Sequence, residues 1–312
     1  MIVVGVDGGG TKTIAVAADL SGHVRARAEG SGSNPNFVGR EAAFSVLRHV
    51  LDEVRRCMAA RNPEPLAHAA LCVPGLPAYR AGGAEALGLP PDRASFNTDV
   101  DSTFCGALGK ETGVVALAGT GSFVTGTNRD GITARAGGWG PIIGDEGSGQ
   151  RIAVRALQAV ALQWDGRGPI TRLTNKLLRF YDAATPHELK SAVKLDNVSR
   201  LTYLVREAAD EGDSIAKAIM ADAGRSLADM AASVVERLDM RSDVFELALT
   251  GGLPRIGERY TQPFAERLAE HCPAVRLVEP LLPPVGGALL LALRSSGVSW
   301  SADVLDALRR TL

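Results

Sequence analysis

Four turns rich in glycine and hydroxyl residues constrain this 312-residue chain more than any other feature. Glycine lets a backbone curl close to a ligand, so that its N–H groups can point at phosphate oxygens. Threonine and serine hydroxyls add donors, and neighbouring carboxylates can hold a metal ion or accept a proton. Each of the four turns follows a strand-like apolar run. Together the turns therefore indicate a nucleotide site built from several parts of the chain. The turns are Asp7-Gly8-Gly9-Gly10-Thr11-Lys12-Thr13, Gly119-Thr120-Gly121-Ser122, Gly144-Asp145-Glu146-Gly147-Ser148-Gly149 and Thr250-Gly251-Gly252-Leu253.

Composition narrows the class of protein. The length predicts two domains, and 46% hydrophobic with 22% charged residues is ordinary for a globular protein. A net charge of −1 gives no sign of nucleic-acid or anionic-membrane binding. The four scattered cysteines form no Cys-x-x-Cys pair, which argues against a structural zinc site and for a reducing compartment. We therefore expect a cytoplasmic protein, with no nucleic acid and no membrane as partners.

The order strand, loop, strand, turn, strand, helix occurs twice along the chain. The first copy comprises strands at 2–7, 14–19 and 24–29 and a helix at 40–59; the second comprises strands at 114–118, 123–127 and 132–136 and a helix at 150–164. Further strands are predicted at 66–73, 94–98, 245–249 and 274–278, and helices at 214–238, 286–293 and 302–312. A repeat of this length indicates two duplicated domains. If they face each other, both glycine-rich loops lie in one cleft.

The first turn fits neither of the two common phosphate-binding motifs. Gly5 and Gly10 have P-loop spacing, but Thr11-Lys12 follows where Lys-Ser/Thr is required. No third glycine completes a dinucleotide fingerprint. The pattern predicts a phosphate-binding β-hairpin, with Asp7 ending the first strand and Thr11 to Thr13 entering the second.

These turns, together with Gly137-Gly138-Trp139-Gly140, occur in an order that resembles a known family. They resemble the N-acetylglucosamine kinase branch of the BadF/BadG/BcrA/BcrD ATPase family, within the sugar kinase, Hsp70 and actin superfamily. The resemblance implies an α/β fold of two ribonuclease H-like (actin-like ATPase) domains, with a nucleotide and sugar cleft between them. We expect the domains at 1–113 and 114–312, the second with a helical insertion, and a terminal helix that packs back on the first.

The resemblance also implies a role for individual residues, with ATP and Mg²⁺ as cofactors. Asp7 corresponds to the acidic residue near the metal, and Asp99 to the catalytic base. The phosphate-binding positions are Gly10, Thr11, Lys12, Thr120, Gly121 and Ser122, and the adenosine contacts are Gly251 and Gly252. The sugar-binding positions are Asn34, Asp99, Trp139, Gly140 and Asp145. As partners we expect a small-molecule amino sugar and a second copy of the chain in a homodimer.

The chemistry of phosphoryl transfer fits these roles, and some positions have an alternative role. Phosphoryl transfer needs positioning, Mg²⁺ and phosphate donors, and a carboxylate can accept the proton of the attacking hydroxyl. Asp101 competes with Asp99 as the base, but we expect it to be the N-cap of a helix beginning at Ser102. Asn34 could instead hold a turn before Pro35, and Asp145 could bind the N–H groups of its own loop.

The leading hypothesis is an ATP-dependent kinase that converts N-acetylglucosamine to N-acetylglucosamine 6-phosphate. The segment Asn34-Pro35-Asn36-Phe37 departs from the vertebrate version of this loop, which leaves the sugar open. Glucosamine or N-acetylmuramic acid kinase is therefore an alternative. A non-sugar ATPase of the same family, the activator of a radical dehydratase, is another. We expect Trp139, between glycines and a proline, to cover a sugar face or close the cleft.

Overall fold

The computed structural model describes residues 1–59, 64–194 and 198–312. Within these residues it is an α/β protein with two five-stranded sheets. The strands of the first sheet are β1 (Ile2–Gly8), β2 (Lys12–Asp19), β3 (Val24–Ser31), β4 (Leu66–Cys72) and β5 (Ala94–Asn97). Those of the second are β6 (Gly113–Ala118), β7 (Ser122–Thr127), β8 (Thr133–Gly137), β9 (Phe245–Thr250) and β10 (Val275–Val278).

The two sheets share one topology. The first has the order β3-β2-β1-β4-β5, with β1 antiparallel to β2 and parallel to β4. The second has the order β10-β9-β6-β7-β8, with β6 antiparallel to β7 and parallel to β9. The duplication predicted from the sequence is therefore confirmed, and each predicted strand is present with ends within two residues of the prediction.

Helices cover both sheets and fill the region between β8 and β9. The α-helices are α1 (Pro35–Val38), α2 (Arg40–Ala59), α3 (Arg80–Ala86), α4 (Asp99–Leu108), α5 (Gly149–Trp164), α6 (Leu173–Tyr181), α7 (Leu189–Ala192), α8 (Thr202–Asp210), α9 (Ser214–Arg237), α10 (Glu258–His271), α11 (Pro284–Ser295) and α12 (Ala302–Thr311). Short 3₁₀ helices lie at Leu76–Tyr79, Pro91–Arg93, Pro186–Glu188, Val198–Leu201 and Leu253–Ile256. None of the described helices is both long and apolar enough to cross a bilayer.

The chain divides into two compact units. Unit 1 comprises residues 1–111 and 280–312, and unit 2 comprises residues 112–279. Each has its own apolar core: α2 packs on the first sheet in unit 1, and α5 and α9 form the core of unit 2 together with its sheet. The predicted domain ranges, 1–113 and 114–312, remain a prediction, but the packing places 280–312 with the first sheet.

Close contact between backbones explains why the C-terminal segment belongs to unit 1. A Cβ atom added to Gly5 of β1 would lie 2.6 Å from the Leu289 backbone nitrogen of α11. A Cβ on Gly287 of α11 would lie 1.8 Å from the Ser102 carbonyl oxygen of α4. Only glycine at these two crossing points lets α11 approach β1 and α4 so closely.

Candidate active site

The carboxyl ends of three parallel strands bring the first set of predicted residues together. Asp7 at the end of β1 pairs in register with Cys72 of β4, which pairs in turn with Asn97 of β5. Helix α4 begins two residues later at Asp99. Ligands of open α/β sheets bind outside the carboxyl ends of the strands, so this edge is a natural place for chemistry.

Ser102 links the Asp7 carboxylate to the backbone at Asp99, and no role was predicted for it from the sequence. Its fully buried hydroxyl lies 3.0 Å from Asp7 Oδ1 and 3.1 Å from the Asp99 carbonyl oxygen. The only sequence signal for it is a hydroxyl one helical turn after Asp99. Ser102 thus fixes the Asp7 side chain relative to the start of α4.

Burial shapes the protonation of this cluster. It raises the pKa of Asp7 to about 6, and the Asp99 carboxylate raises it further, while the Ser102 hydrogen bond and Lys12 oppose the rise. Burial also raises the pKa of the neighbouring Cys72 thiol, so this cysteine stays protonated and unreactive at neutral pH.

The structure corrects the predicted role of Asp101. The N-cap of α4 is Thr98, and the helix begins at Asp99 rather than at Ser102. Asp101 is the third helical residue, where its Oδ2 accepts hydrogen bonds of 2.8 Å from the Thr98 amide and the Thr98 hydroxyl. This capping box occupies the Asp101 carboxylate. The predicted N-cap role of Asp101 and the predicted helix start were therefore wrong, and Asp99 as the base stays a prediction.

The predicted phosphate loop is a tight hairpin between β1 and β2. The Gly9 amide donates to the Lys12 carbonyl at 2.9 Å, and Gly10, Thr11 and Lys12 are exposed. The Phe37 ring, 78% exposed, lies beside Gly10, where an added Cβ would be 3.4 Å from the ring. The hairpin therefore presents its tip to solvent, as a loop that receives phosphate must.

Asn34 is buried beside this hairpin and does hold a turn. Its Oδ1 accepts a 3.0 Å hydrogen bond from the Asn36 amide and caps the short helix α1. Within the described part of the chain, its Nδ2 group donates no hydrogen bond to protein. The turn role of Asn34 is therefore confirmed, and its contact with a sugar stays a prediction.

In unit 2 the turn at 119–122 is held by the start of α5. The Gly119 amide donates to the Gly121 carbonyl at 2.9 Å, and the Gly149 amide donates to the Gly119 carbonyl at 2.9 Å. The Ser122 hydroxyl donates to the Glu146 carbonyl at 2.6 Å. These bonds join the second and third glycine-rich turns into one structure.

Asp145 lies in the same structure with a left-handed backbone, at φ 61°. It is buried, and burial raises the pKa of its carboxyl group. Its Oδ1 lies 3.4 Å from the Ser122 amide, and an added Cβ on Gly121 would lie 3.2 Å from both carboxylate oxygens. The side chain therefore faces the 119–122 turn rather than the N–H groups of its own loop.

Trp139 stands on the surface of unit 2. Its side chain is 71% exposed, beside Ile142 and Ile143 at 85% and 76%. Gly140, with φ 81° and nothing within 4 Å of an added Cβ, follows it. Exposed apolar side chains grouped in this way are typical of an interaction surface, and the role of Trp139 over a sugar stays a prediction.

The fourth turn lies next to the second because β9 runs parallel to β6. Leu117 pairs with Thr250, so Gly251 follows at the same edge of the sheet as Gly119. Gly251 has φ 104°, and an added Cβ would lie 2.1 Å from the Ala118 carbonyl oxygen. Unit 2 thus gathers three of the four turns at one end of its sheet, and unit 1 gathers the hairpin, Asn34 and Asp99 at the end of its own.

The duplicated strand order defines the class: an α/β protein with the two-domain fold of actin-like ATPases, which sugar kinases share. The BadF/BadG/BcrA/BcrD ATPase family matches residues 4–292, and the chain belongs to this family.

Three relatives are similar over nearly their whole length. The N-acetyl-D-glucosamine kinase of Dictyostelium discoideum is 30% identical, over 94% of this chain and 98% of that protein. The N-acetylmuramic acid/N-acetylglucosamine kinase of Clostridium acetobutylicum is 30% identical, over 93% of this chain and 97% of that one. A crystal structure from Chromobacterium violaceum, provisionally assigned as an N-acetylglucosamine kinase, superimposes with a TM-score of 0.74 at 30% identity, covering 93% of this chain and 98% of that one.

Proposed function

We propose that this protein is an ATP-dependent kinase that phosphorylates the 6-hydroxyl of N-acetylglucosamine. The observation that carries the proposal lies at the carboxyl edge of the first sheet, where the buried Ser102 hydroxyl contacts both the Asp7 carboxylate and the backbone carbonyl of Asp99. Relatives named as amino-sugar kinases, 30% identical over almost the whole chain, support the same reaction.

In this reaction the sugar 6-oxygen attacks the γ-phosphorus of ATP. The new O–P bond forms as the bond to the β–γ bridging oxygen breaks, which releases ADP, and the hydroxyl proton passes to the Asp99 carboxylate. Asp99 suits this role because it sits at the strand edge, whereas Asp101 is committed to the cap of α4. Further sugar contacts are proposed for Asn34, Trp139, Gly140 and Asp145.

Phosphate and adenosine binding are proposed for the glycine-rich turns. In unit 1 these are Gly10, Thr11 and Lys12, whose exposure at the hairpin tip supports the assignment. In unit 2 they are Thr120, Gly121 and Ser122 for phosphates and Gly251 and Gly252 for adenosine. Backbone N–H groups and hydroxyls of such turns stabilise the charge of a transferring phosphoryl group.

Asp7 is proposed to hold Mg²⁺. The described residues include no group of three or more side chains able to bind a metal. One half-buried carboxylate beside the proposed phosphate hairpin nevertheless fits Mg²⁺, which is usually held by one or two carboxylates together with substrate phosphates and water. When bound, the ion would neutralise negative charge on the phosphates.

The identity of the sugar and the oligomeric state are less constrained than the reaction. The name of the Clostridium relative favours N-acetylmuramic acid as a second acceptor, and the exposed Phe37 beside Asn34 is a surface for a larger substituent. Glucosamine is the third acceptor to test. A cytoplasmic homodimer remains our prediction, and light scattering of the purified protein tests the dimer.

The experiment is an ADP-release assay on the purified protein with Mg²⁺, ATP and a panel of these three sugars plus glucose. We expect turnover on an amino sugar and phosphorus NMR of the product to show a 6-phosphate. Turnover on glucose alone would contradict the amino-sugar assignment. ATP hydrolysis that no sugar stimulates would contradict the kinase and favour a non-sugar ATPase of this family.

A further inference from the structure

The segment 31–34 is fastened to the phosphate hairpin by four hydrogen-bond contacts. The amides of Ser33 and Asn34 both donate to the Gly9 carbonyl, at 3.0 and 3.2 Å. The Thr13 hydroxyl lies 2.7 Å from the Ser31 carbonyl and 2.8 Å from the Ser33 hydroxyl. Both Thr13 and Ser33 are fully buried, so water does not compete for these contacts.

The two segments also interlock sterically. A Cβ on Gly8 would lie 2.3 Å from the Ser33 hydroxyl oxygen, and a Cβ on Gly32 would lie 2.1 Å from the Gly10 carbonyl oxygen. Neither segment has room to slide past the other, because close-packed groups do not deform continuously. A shift of the hairpin must therefore carry segment 31–34 with it.

Each of the two segments is proposed to bind one of the two substrates. The hairpin tip bears Thr11 and Lys12, proposed for phosphates, and segment 31–34 ends in Asn34, proposed for the sugar. The Gly9 carbonyl provides one link, since it accepts a hydrogen bond from the Asn34 amide while its own residue belongs to the hairpin. The Thr13 hydroxyl provides the other link, through the Ser31 carbonyl and the Ser33 hydroxyl. Phosphate that binds and orders the hairpin therefore also orders Asn34, the residue proposed to contact the sugar.

We propose that Thr13 and Ser33 are positioning residues that couple the two ligands, so that nucleotide and amino sugar bind synergistically. The coupling rests on the proposed function, because it needs phosphate at the hairpin and sugar at Asn34. When the first ligand binds, the joined segments lose conformational entropy. The second ligand then binds more tightly, because the segments are already ordered. By linkage the enhancement is the same in both orders of addition.

The test measures the dissociation constant of N-acetylglucosamine by calorimetry, with and without saturating AMPPNP and Mg²⁺. For the wild type we expect AMPPNP to tighten sugar binding by about 5-fold or more, the lower end of typical coupling. Thr13→Val keeps the side-chain shape but loses both hydroxyl contacts, and should reduce the enhancement to less than about 2-fold on the same scale. The matched control is Thr171→Val in unit 2, which also removes a buried hydroxyl, one that donates to Asp213 at 2.9 Å.

Hydrogen exchange distinguishes coupling from a purely structural role of Thr13. AMPPNP alone should slow exchange of the Ser33 and Asn34 amides in the wild type and in Thr171→Val, but not in Thr13→Val. If Thr13→Val does not fold, Ser33→Ala removes one hydroxyl with a smaller change and should also weaken the coupling.

Wild-type binding without enhancement would overturn the coupling, as would a folded Thr13→Val or Ser33→Ala that retains the full enhancement. A wild type that binds neither AMPPNP nor any amino sugar would instead refute the proposed function itself. That result appears before any variant is made, so the two failures are distinguishable.

Discussion

At the scale of single residues, two carboxylates at the start of α4 differ in what they contact. Asp101 binds the Thr98 amide and hydroxyl, while Asp99 begins the helix beside Ser102. We expect Asp99→Asn to lower kcat by roughly 10²–10⁴-fold, because an amide cannot take the hydroxyl proton. Substrate affinity should change little. The measurement is steady-state kinetics together with calorimetric binding of the sugar.

Asp101→Ala is the matched comparison. It should keep kcat within a few-fold of the wild type and lower the free energy of unfolding by about 0.5–2 kcal/mol, the usual effect of losing a helix cap. If Asp101→Ala abolishes turnover while Asp99→Asn does not, the two roles are exchanged.

Asp7 predicts a pH dependence of stability. Its folded pKa of about 6 lies above the ordinary 3.8, so the native state binds the proton more tightly than the unfolded chain. Stability should therefore fall as pH rises from about 4 to 6, because the ionised carboxylate is then buried. In EDTA without ligand, we expect Asp7→Asn to raise the free energy of unfolding by about 1–3 kcal/mol at pH 8 and by little at pH 4.

Urea unfolding at both pH values measures this effect. The control is Asp130→Asn, which replaces an exposed carboxylate in the turn before β8. An Asp7→Asn difference that is the same at pH 4 and pH 8 would contradict the buried, ionising carboxylate.

At the scale of elements, the turn after β9 predicts opposite outcomes for two adjacent glycines. Gly251 has φ 104° and lacks room for a Cβ, since the Ala118 carbonyl oxygen would lie 2.1 Å away. Gly252 has φ −82° and nothing within 4 Å of an added Cβ. Gly251→Ala should lower the free energy of unfolding by roughly 2–4 kcal/mol, through backbone strain and displacement of β6 from β9.

Gly252→Ala should change stability by less than about 0.5 kcal/mol, as for an unconstrained surface position. Urea unfolding of the two variants compares them directly. Equal costs at the two positions would show that the turn does not approach β6 as closely as described.

At the scale of the whole molecule, unit 1 is built from two distant parts of the chain. The Leu281 amide donates to the Ala107 carbonyl at 3.0 Å, and Arg294 donates to Glu111 at 2.7 Å. The ends at 111 and 280 are therefore close enough for a short linker. We expect a chain of 1–111 joined by a glycine–serine linker to 280–312 to unfold cooperatively in urea.

The fragment 1–113 alone should lack a cooperative transition, because it leaves the face of β1 that contacts α11 exposed to water. Circular dichroism in urea measures the unfolding of both polypeptides. Cooperative unfolding of 1–113 would support the domain range predicted from the sequence.

The strands and the family of this protein were predictable from the order of its amino acids. Alternating and continuous apolar runs fix strands through local side-chain contacts, so β1 to β10 were predictable almost to the residue. The glycine-rich turns were equally predictable from the sequence, because positive φ and close backbone approach require glycine at positions such as Gly251. Their order along the chain was enough to indicate the ATPase family.

The contacts between residues far apart in the chain were not predictable in this way. The Ser102 hydroxyl donates to Asp7, which is 95 residues away in the sequence. No periodic pattern in the sequence indicates this contact. The start of α4 depended on whether Thr98 or Asp101 caps it, a choice between local hydrogen bonds that both residue types can make. Helix α11 belongs with β1 because two glycines let the backbones touch, and such packing depends on three-dimensional fit rather than on order along the chain.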